Sequence, residues 1–232
     1  MAKNITVIYL TANQLPPHWS FYQWSVLDKA LGDSPVIAVT RKPRGFGRLK
    51  GDVQVILDDR KKCLSNIYYQ MLQAAKLATT DYIATAEDDC LYHESHFTFF
   101  RPKLDEFAYD QNRMGLFTWG KPIYNWRNRK SNCTLIAPRK LLIEALEERF
   151  SKWHDGTPDN ITGEVGRSMC EKNMGITRRK SVEVFNDISV IMLNHDFGSE
   201  ERQKTHRKSM GPIRAYDIPY WGNASDIVSN FK

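Results

Sequence analysis

Three consecutive carboxylates, Glu87-Asp88-Asp89, close the short apolar run Tyr82-Ile83-Ala84-Thr85-Ala86 and precede Cys90. Three like charges side by side repel one another, so a divalent cation held by hard oxygen ligands is their natural neutraliser. The run reads as a buried strand, which puts the acids at its carboxyl end, the edge where open α/β sheets bind ligands. A solvated acidic turn, or acids favoured at a helix N-terminus, is the bland alternative.

The elements that must position these acids follow from hydrophobic spacing. Ile5 to Leu10 and Pro35 to Val39 are apolar strands, Val53 to Leu57 is a third, and Trp19 to Leu31 carries helical spacing. Lys62 to Ala78 presents Leu64, Ile67, Tyr68, Met71, Leu72, Ala75 and Ala78 as one helical stripe leading into the acid-tipped strand. This order predicts a mainly parallel sheet with helices on its faces, in a half of the chain suited to a nucleotide. Beyond it, Met114 to Phe117 and Cys133 to Ile136 are expected strands, Pro138 opens a helix through Leu142, Ala145, Leu146 and Phe150, and Val190 to Leu193 is a last strand before Asn194-His195-Asp196. Trp153 to Gly163 is the expected functional loop, and the chain past Gly198 reads as a basic flap or tail.

Composition narrows the class. A chain of 232 residues that is 41% hydrophobic can bury a sizeable core. Four dispersed cysteines form no CxxC pair, which argues against structural zinc and a disulfide framework and for a reducing cytoplasm. No run reaches the roughly 20 apolar residues of a membrane span. Lys and Arg outnumber Asp and Glu by 33 to 27, a formal +6. The excess is clustered, as at Arg41 to Lys50, at Arg178 to Lys180, at Arg202 to Lys208, and at Arg127, Arg129 and Lys130 beside Trp119, Tyr124 and Trp126. Basic residues interleaved with aromatics suit a nucleic-acid groove or a sugar platform.

The first strand ending near Thr11, the helix before the acidic triplet, the triplet itself as a DxD-like motif, and a late strand ending at His195 together resemble the GT-A glycosyltransferases that use nucleotide-sugar donors. The resemblance covers roughly residues 5 to 200 and implies one α/β, GT-A-like domain. Its parts would be a Rossmann-like nucleotide-sugar half to about residue 92, an acceptor half over 93–200 and a basic flap or tail over 201–232. It further implies a Mn²⁺ or Mg²⁺ ion held by Asp89 and completed by His195. Glu87 would face the ribose or a metal-bound water, Asp88 the sugar, Thr11 the donor, and Arg202 and Lys204 the diphosphate. Two departures stand: Glu87 replaces an Asp, and the later acidic pair of the family appears only as Gly163-Glu164-Val165-Gly166.

For an inverting transfer the base is Glu164, expected to open a helix, or Asp159 in the preceding loop. Trp119, Trp126, Arg127 and Arg129 are the candidate acceptor contacts. Some bacteriophages decorate hydroxymethylated pyrimidines of DNA with small basic enzymes of this kind, so DNA in a host cytoplasm is the expected partner, with a surface-saccharide precursor as alternative. Other classes remain open: a nucleotidyltransferase using Arg44-Gly45-Phe46-Gly47-Arg48-Leu49, a hydrolase using Asp88, Asp89, His93 and His96, and a non-catalytic nucleic-acid-binding module.

Overall fold

A computed structural model describes residues 4–42, 53–60, 65–126, 128–157, 163–195 and 211–232. The architecture is α/β and GT-A-like, with a large, mostly parallel sheet flanked by helices. Its seven strands are β1 (Ile5–Leu10), β2 (Val36–Thr40), β3 (Val53–Leu57), β4 (Tyr82–Glu87), β6 (Glu106–Asp110), β9 (Leu135–Pro138) and β10 (Lys180–Val184), in the order β10-β6-β9-β4-β1-β2-β3. Only β9 runs against its neighbours, pairing antiparallel with both β4 and β6. From β1 the chain steps outward to β2 and β3 and then returns to pair β4 on the other side of β1. That reversal leaves a crevice at the carboxyl ends of β1 and β4, the position at which open α/β sheets bind ligands.

Every residue of β1 is buried because both faces of the sheet are covered. Ile5, Val7 and Tyr9 face helix α1 (Pro17–Leu31), which supplies Trp24, Leu27, Ala30 and Leu31. Ile8 and Leu10 face α2 (Asn66–Leu77) and α3 (Arg139–Lys152), through Tyr68, Met71, Leu72, Leu142 and Leu146. Helix α1 starts on Pro17, whose missing N–H has no partner to lose in a first turn, and stops at Gly32, whose φ of 55° suits a residue without Cβ.

A second sheet, in the order β12-β8-β7-β11-β5, is built from β5 (Cys90–Leu91), β7 (Arg113–Phe117), β8 (Tyr124–Trp126), β11 (Val190–Asn194) and β12 (Ile213–Ala215). Since β5 follows the acidic triplet directly and pairs with β11, the turn between the sheets holds the acids while the second sheet brings the late strand to them.

Several boundaries differ from the sequence reading. Helix α2 begins at Asn66, with 61–64 outside the described residues. Residues Asn132–Thr134 form a 3-10 turn, so the strand begins at Leu135, and Pro138 ends it and caps α3 instead of opening the helix. Helix α4 runs Ser168–Met174 with Arg167 as its cap, so Glu164 precedes the helix by four residues and does not open it. The C-terminal correction is larger. Residues 211–232 are no tail: β12 pairs with β8, β13 (Asp217–Ile218) pairs with β14 (Gly222–Asn223), and α5 (Ala224–Ser229) buries Ala224, Ile227 and Val228. These side chains join Trp19, Leu91, Leu116, Ile191 and Leu193 in one cluster. The basic run that suggested a tail, 201–210, lies outside the described residues.

Ile227→Ala should therefore lower stability by about 2–5 kcal/mol through lost burial and a residual cavity, read as a lower denaturant midpoint. A tail residue would give no measurable change.

Candidate functional site

The acidic turn is tied down from every side. The Asp88 amide donates to the Leu10 carbonyl at 3.2 Å, the Thr11 hydroxyl donates to the Asp88 carboxylate, and the buried Trp19 indole donates to the Asp88 carbonyl at 2.9 Å. The Glu87 amide donates to the Tyr92 phenol, which donates in turn to the Cys133 carbonyl, both at 3.0 Å. The Leu193 amide donates to the Asp89 carbonyl at 2.8 Å. A turn so connected to β1, α1 and β11 is not a loosely solvated acidic loop.

Glu87, Asp89 and Cys90 each bring one donor atom within 4.8 Å of the others. At that separation and an effective dielectric constant of about 20, two carboxylates repel by roughly 3–4 kcal/mol, a penalty that a divalent cation turns into attraction. His195 follows the last residue of β11, and its Nε2 lies 3.6 Å from Asp89 Oδ2. Burial, followed by its hydrogen bond with Cys133 and the Asp89 charge, pushes the Cys90 thiol well up, so it stays protonated and donates to Asp89 Oδ1 at 3.2 Å. The donor set that could take a divalent cation is thus two carboxylates with an adjacent imidazole.

Next to the acids lies a cleft of about 190 Å³ lined by Leu10, Thr11, Ala12, Arg41, Asn66, Ile67, Gln70 and the triplet. Pockets that bury a whole drug-sized ligand run to roughly 300–1,000 Å³, so this one has room for part of a donor. Its polar support comes from β3. Asp58, buried just past that strand, accepts from the Asn66 and Gln70 amides (the latter at 2.7 Å) and from the Arg60 backbone at 3.0 Å. Arg41 Nη1 stands 3.8 Å from Asp58 Oδ2, and the Arg41 backbone amide donates to Asn13 Oδ1 at 2.7 Å. Asn13 takes φ 53°, a conformation asparagine tolerates better than bulkier residues. Sequence reasoning missed Asp58, Asn66 and Gln70. The signal was present, since Asp58 follows an apolar strand at the same sheet edge and Asn66 and Gln70 are spaced i,i+4 on one helix face.

Thr11, Glu87, Asp88, Asp89 and His195 are gathered here. Glu164 is buried; its carboxylate meets Arg167 at 3.3 Å, and its charge opposes ionisation of the Tyr68 and Tyr109 phenols. Beside it the wholly buried Glu171 accepts from the Gly166 amide at 2.7 Å and the Arg179 amide at 2.9 Å, fixing the approach to α4. Trp119 follows Thr118, whose amide donates to the Asn194 carbonyl at 3.0 Å, so it stands at the His195 end of the second sheet. Trp126 pairs with Met114 at the opposite end of β7, and its indole donates to the Gln111 carbonyl at 2.8 Å, so the two tryptophans form no shared platform. Arg129 is exposed. Asp159, Arg127, Arg202, Lys204 and the Arg44 to Leu49 segment lie outside the described residues. The hydrolase reading is corrected: His96 is wholly buried against Asp110 at 3.2 Å, whereas His93 caps a 3-10 turn through Ser95 and packs on Tyr220, so the two do not converge.

No protein-family model and no curated protein sequence matches this chain. Among solved structures, residues 1–349 of S. aureus TarS give a TM-score of 0.51 at 12% identity, covering 83% of this chain and 60% of TarS 1–349. The same TarS segment in complex with UDP-GlcNAc gives 0.52 at 11% identity, covering 89% and 62%. HddC from Yersinia pseudotuberculosis gives 0.49 at 9% identity, over 81% of this chain and 92% of its own. The two TarS likenesses show the fold alone. The chain spans about three fifths of TarS 1–349.

Asp89→Asn should abolish Mn²⁺ binding, so that adding the variant leaves the free-ion signal in electron paramagnetic resonance undiminished where the unaltered chain lowers it, with an unchanged or raised melting temperature because one repelling charge is gone. Binding equal to that of the unaltered chain would remove Asp89 from the site.

Proposed function

We propose that this protein is a metal-dependent glycosyltransferase that moves a sugar from a nucleotide-sugar to an acceptor hydroxyl. The observation that carries the reading is Asp89 beside His195 at the carboxyl edge of β4, adjoining a cleft at the topological switch of a GT-A-like sheet. The UDP-GlcNAc bound by the structural neighbour TarS supports a donor of this class. Asp89 and His195 would hold Mn²⁺ or Mg²⁺, with Glu87 toward the ribose or a metal-bound water. The bound ion supplies Lewis-acid stabilisation of the diphosphate leaving group. Thr11 and Arg41 with the Asp58-Asn66-Gln70 floor receive the nucleoside end, Asp88 faces the sugar, and Arg202 and Lys204 neutralise phosphate.

In the transfer the bond between the anomeric carbon and the β-phosphate oxygen breaks, and the acceptor oxygen bonds to that carbon. The acceptor proton passes to a carboxylate, Glu164 or Asp159. The +6 charge supports a polyanionic acceptor, and DNA carrying hydroxymethylated pyrimidines is the first to test. Trp119 would stack an extruded base while Arg127 and Arg129 meet phosphate; Trp126, spent on Gln111, is the weaker stacking candidate.

Duplex DNA with hydroxymethylated pyrimidines, incubated with Mn²⁺ and nucleotide-sugars beginning with UDP-GlcNAc, should yield after digestion a base heavier by one sugar. Glu164→Gln should slow this transfer by roughly 10²-fold, with Asp159→Asn as the comparison that reassigns the base if it alone is crippling. Transfer only to a saccharide moves the acceptor to a surface-saccharide precursor, and no metal-dependent turnover of any donor overturns the reading.

A further inference from the structure

The groups assigned to the metal are backed by an aromatic ring contributed by residue 231, far along the sequence from the acids. After α5 the chain closes in a turn, the Phe231 amide donating to the Val228 carbonyl at 3.0 Å and the His18 Nε2 meeting the Phe231 carbonyl at 3.1 Å. This buries the Phe231 ring between two partners. On one side it meets the Trp19 indole edge-on, with ring centroids 5.4 Å apart. On the other it lies 5.7 Å from the His195 imidazole at an interplanar angle of 30°.

Both partners bear on the acids. Trp19 holds the Asp88 carbonyl through its indole N–H, and His195 stands 3.6 Å from the Asp89 carboxylate. One apolar ring therefore sets the position of a backbone tie and of an imidazole that come from the two ends of the site. Groups behind a metal's own ligands orient those ligands, and their loss typically weakens metal binding 10–100-fold.

We propose that Phe231 is a positioning residue for the divalent ion, acting through His195 and Trp19 without touching ion or substrate. The inference rests on the reading of Asp89 and His195 as metal ligands. Phe231→Leu keeps an apolar side chain of similar bulk and removes the flat face against His195, so the Mn²⁺ dissociation constant should rise roughly tenfold or more. Trp19→Phe keeps a ring and deletes the N–H to Asp88, and should shift the same constant in the same direction even if the first variant folds poorly. Phe107→Leu, wholly buried against α2 and α3 on the other face of the large sheet, is the control for general loosening and should leave it unchanged.

The measurement is direct Mn²⁺ titration by electron paramagnetic resonance on the full chain without donor. Turnover of nucleotide-sugar should be restored in Phe231→Leu by saturating Mn²⁺, a shift in metal requirement with kcat preserved. Equal Mn²⁺ affinity in the unaltered chain, Phe231→Leu and Trp19→Phe overturns the proposal alone. An equal loss in Phe107→Leu also overturns it, by showing that any loosened core has this effect. Failure of the unaltered chain to bind Mn²⁺ or Mg²⁺ overturns it together with the metal-site reading.

Discussion

Mutual repulsion of the carboxylates at the end of β4 is the constraint around which the structure is arranged. Glu87 and Asp89 present oxygens less than 4.8 Å apart, and repulsion of roughly 3–4 kcal/mol would drive a free turn apart. The ties that hold it are largely uncharged groups: amide to carbonyl, indole to carbonyl, hydroxyl to carboxylate, phenol to amide. Each is worth about 1 kcal/mol net, so several are needed to hold the turn.

The two sheets divide the labour accordingly. Parallel strands of the large sheet, buried on both faces, aim the carboxyl ends of β1 and β4 at one crevice and bring Thr11 against Asp88. The smaller sheet begins directly after the acids, and its pairing of β5 with β11 fixes His195 beside Asp89. The C-terminal helix α5 then fills the space between α1 and that sheet and sets Phe231 between Trp19 and His195. A residue nearly at the end of the sequence thus backs a site whose first element is nearly at its start.

Much of this was legible in the residues. Unbroken apolar runs marked β1, β2 and β4, and the stripe of Tyr68, Met71, Leu72 and Ala75 marked α2, because central parallel strands and a half-buried helix leave those periodicities. The acidic triplet announced its place because it followed such a run. The floor at Asp58 was harder to see: Asn66 and Gln70 share one helix face, but nothing local in the sequence joins that face to an acid at the end of the preceding strand. Glu164 was placed on a helix because its neighbours Arg167, Met169 and Cys170 are compatible with one, yet the chain first turns through Gly166 at φ 70° and α4 starts at Ser168. Trp119 and Trp126 are close in sequence, but a strand pairing through Tyr124 carries them to opposite ends of the second sheet. The basic composition before residue 211 drew attention from a short helical stripe, Ala224, Ile227, Val228 and Phe231 at i, i+3, i+4 and i+7, which spans only two turns.

The central claim is that Asp89 and His195 form a cation site serving a nucleotide-sugar. Anomalous diffraction at the manganese edge, from crystals equilibrated with Mn²⁺ and UDP, tests it most directly. The account predicts one strong peak between the Asp89 carboxylate and His195 Nε2, with the diphosphate beside it and the nucleoside over Asp58, Asn66 and Gln70. Manganese bound elsewhere, or a nucleotide lying away from the triplet, would contradict it.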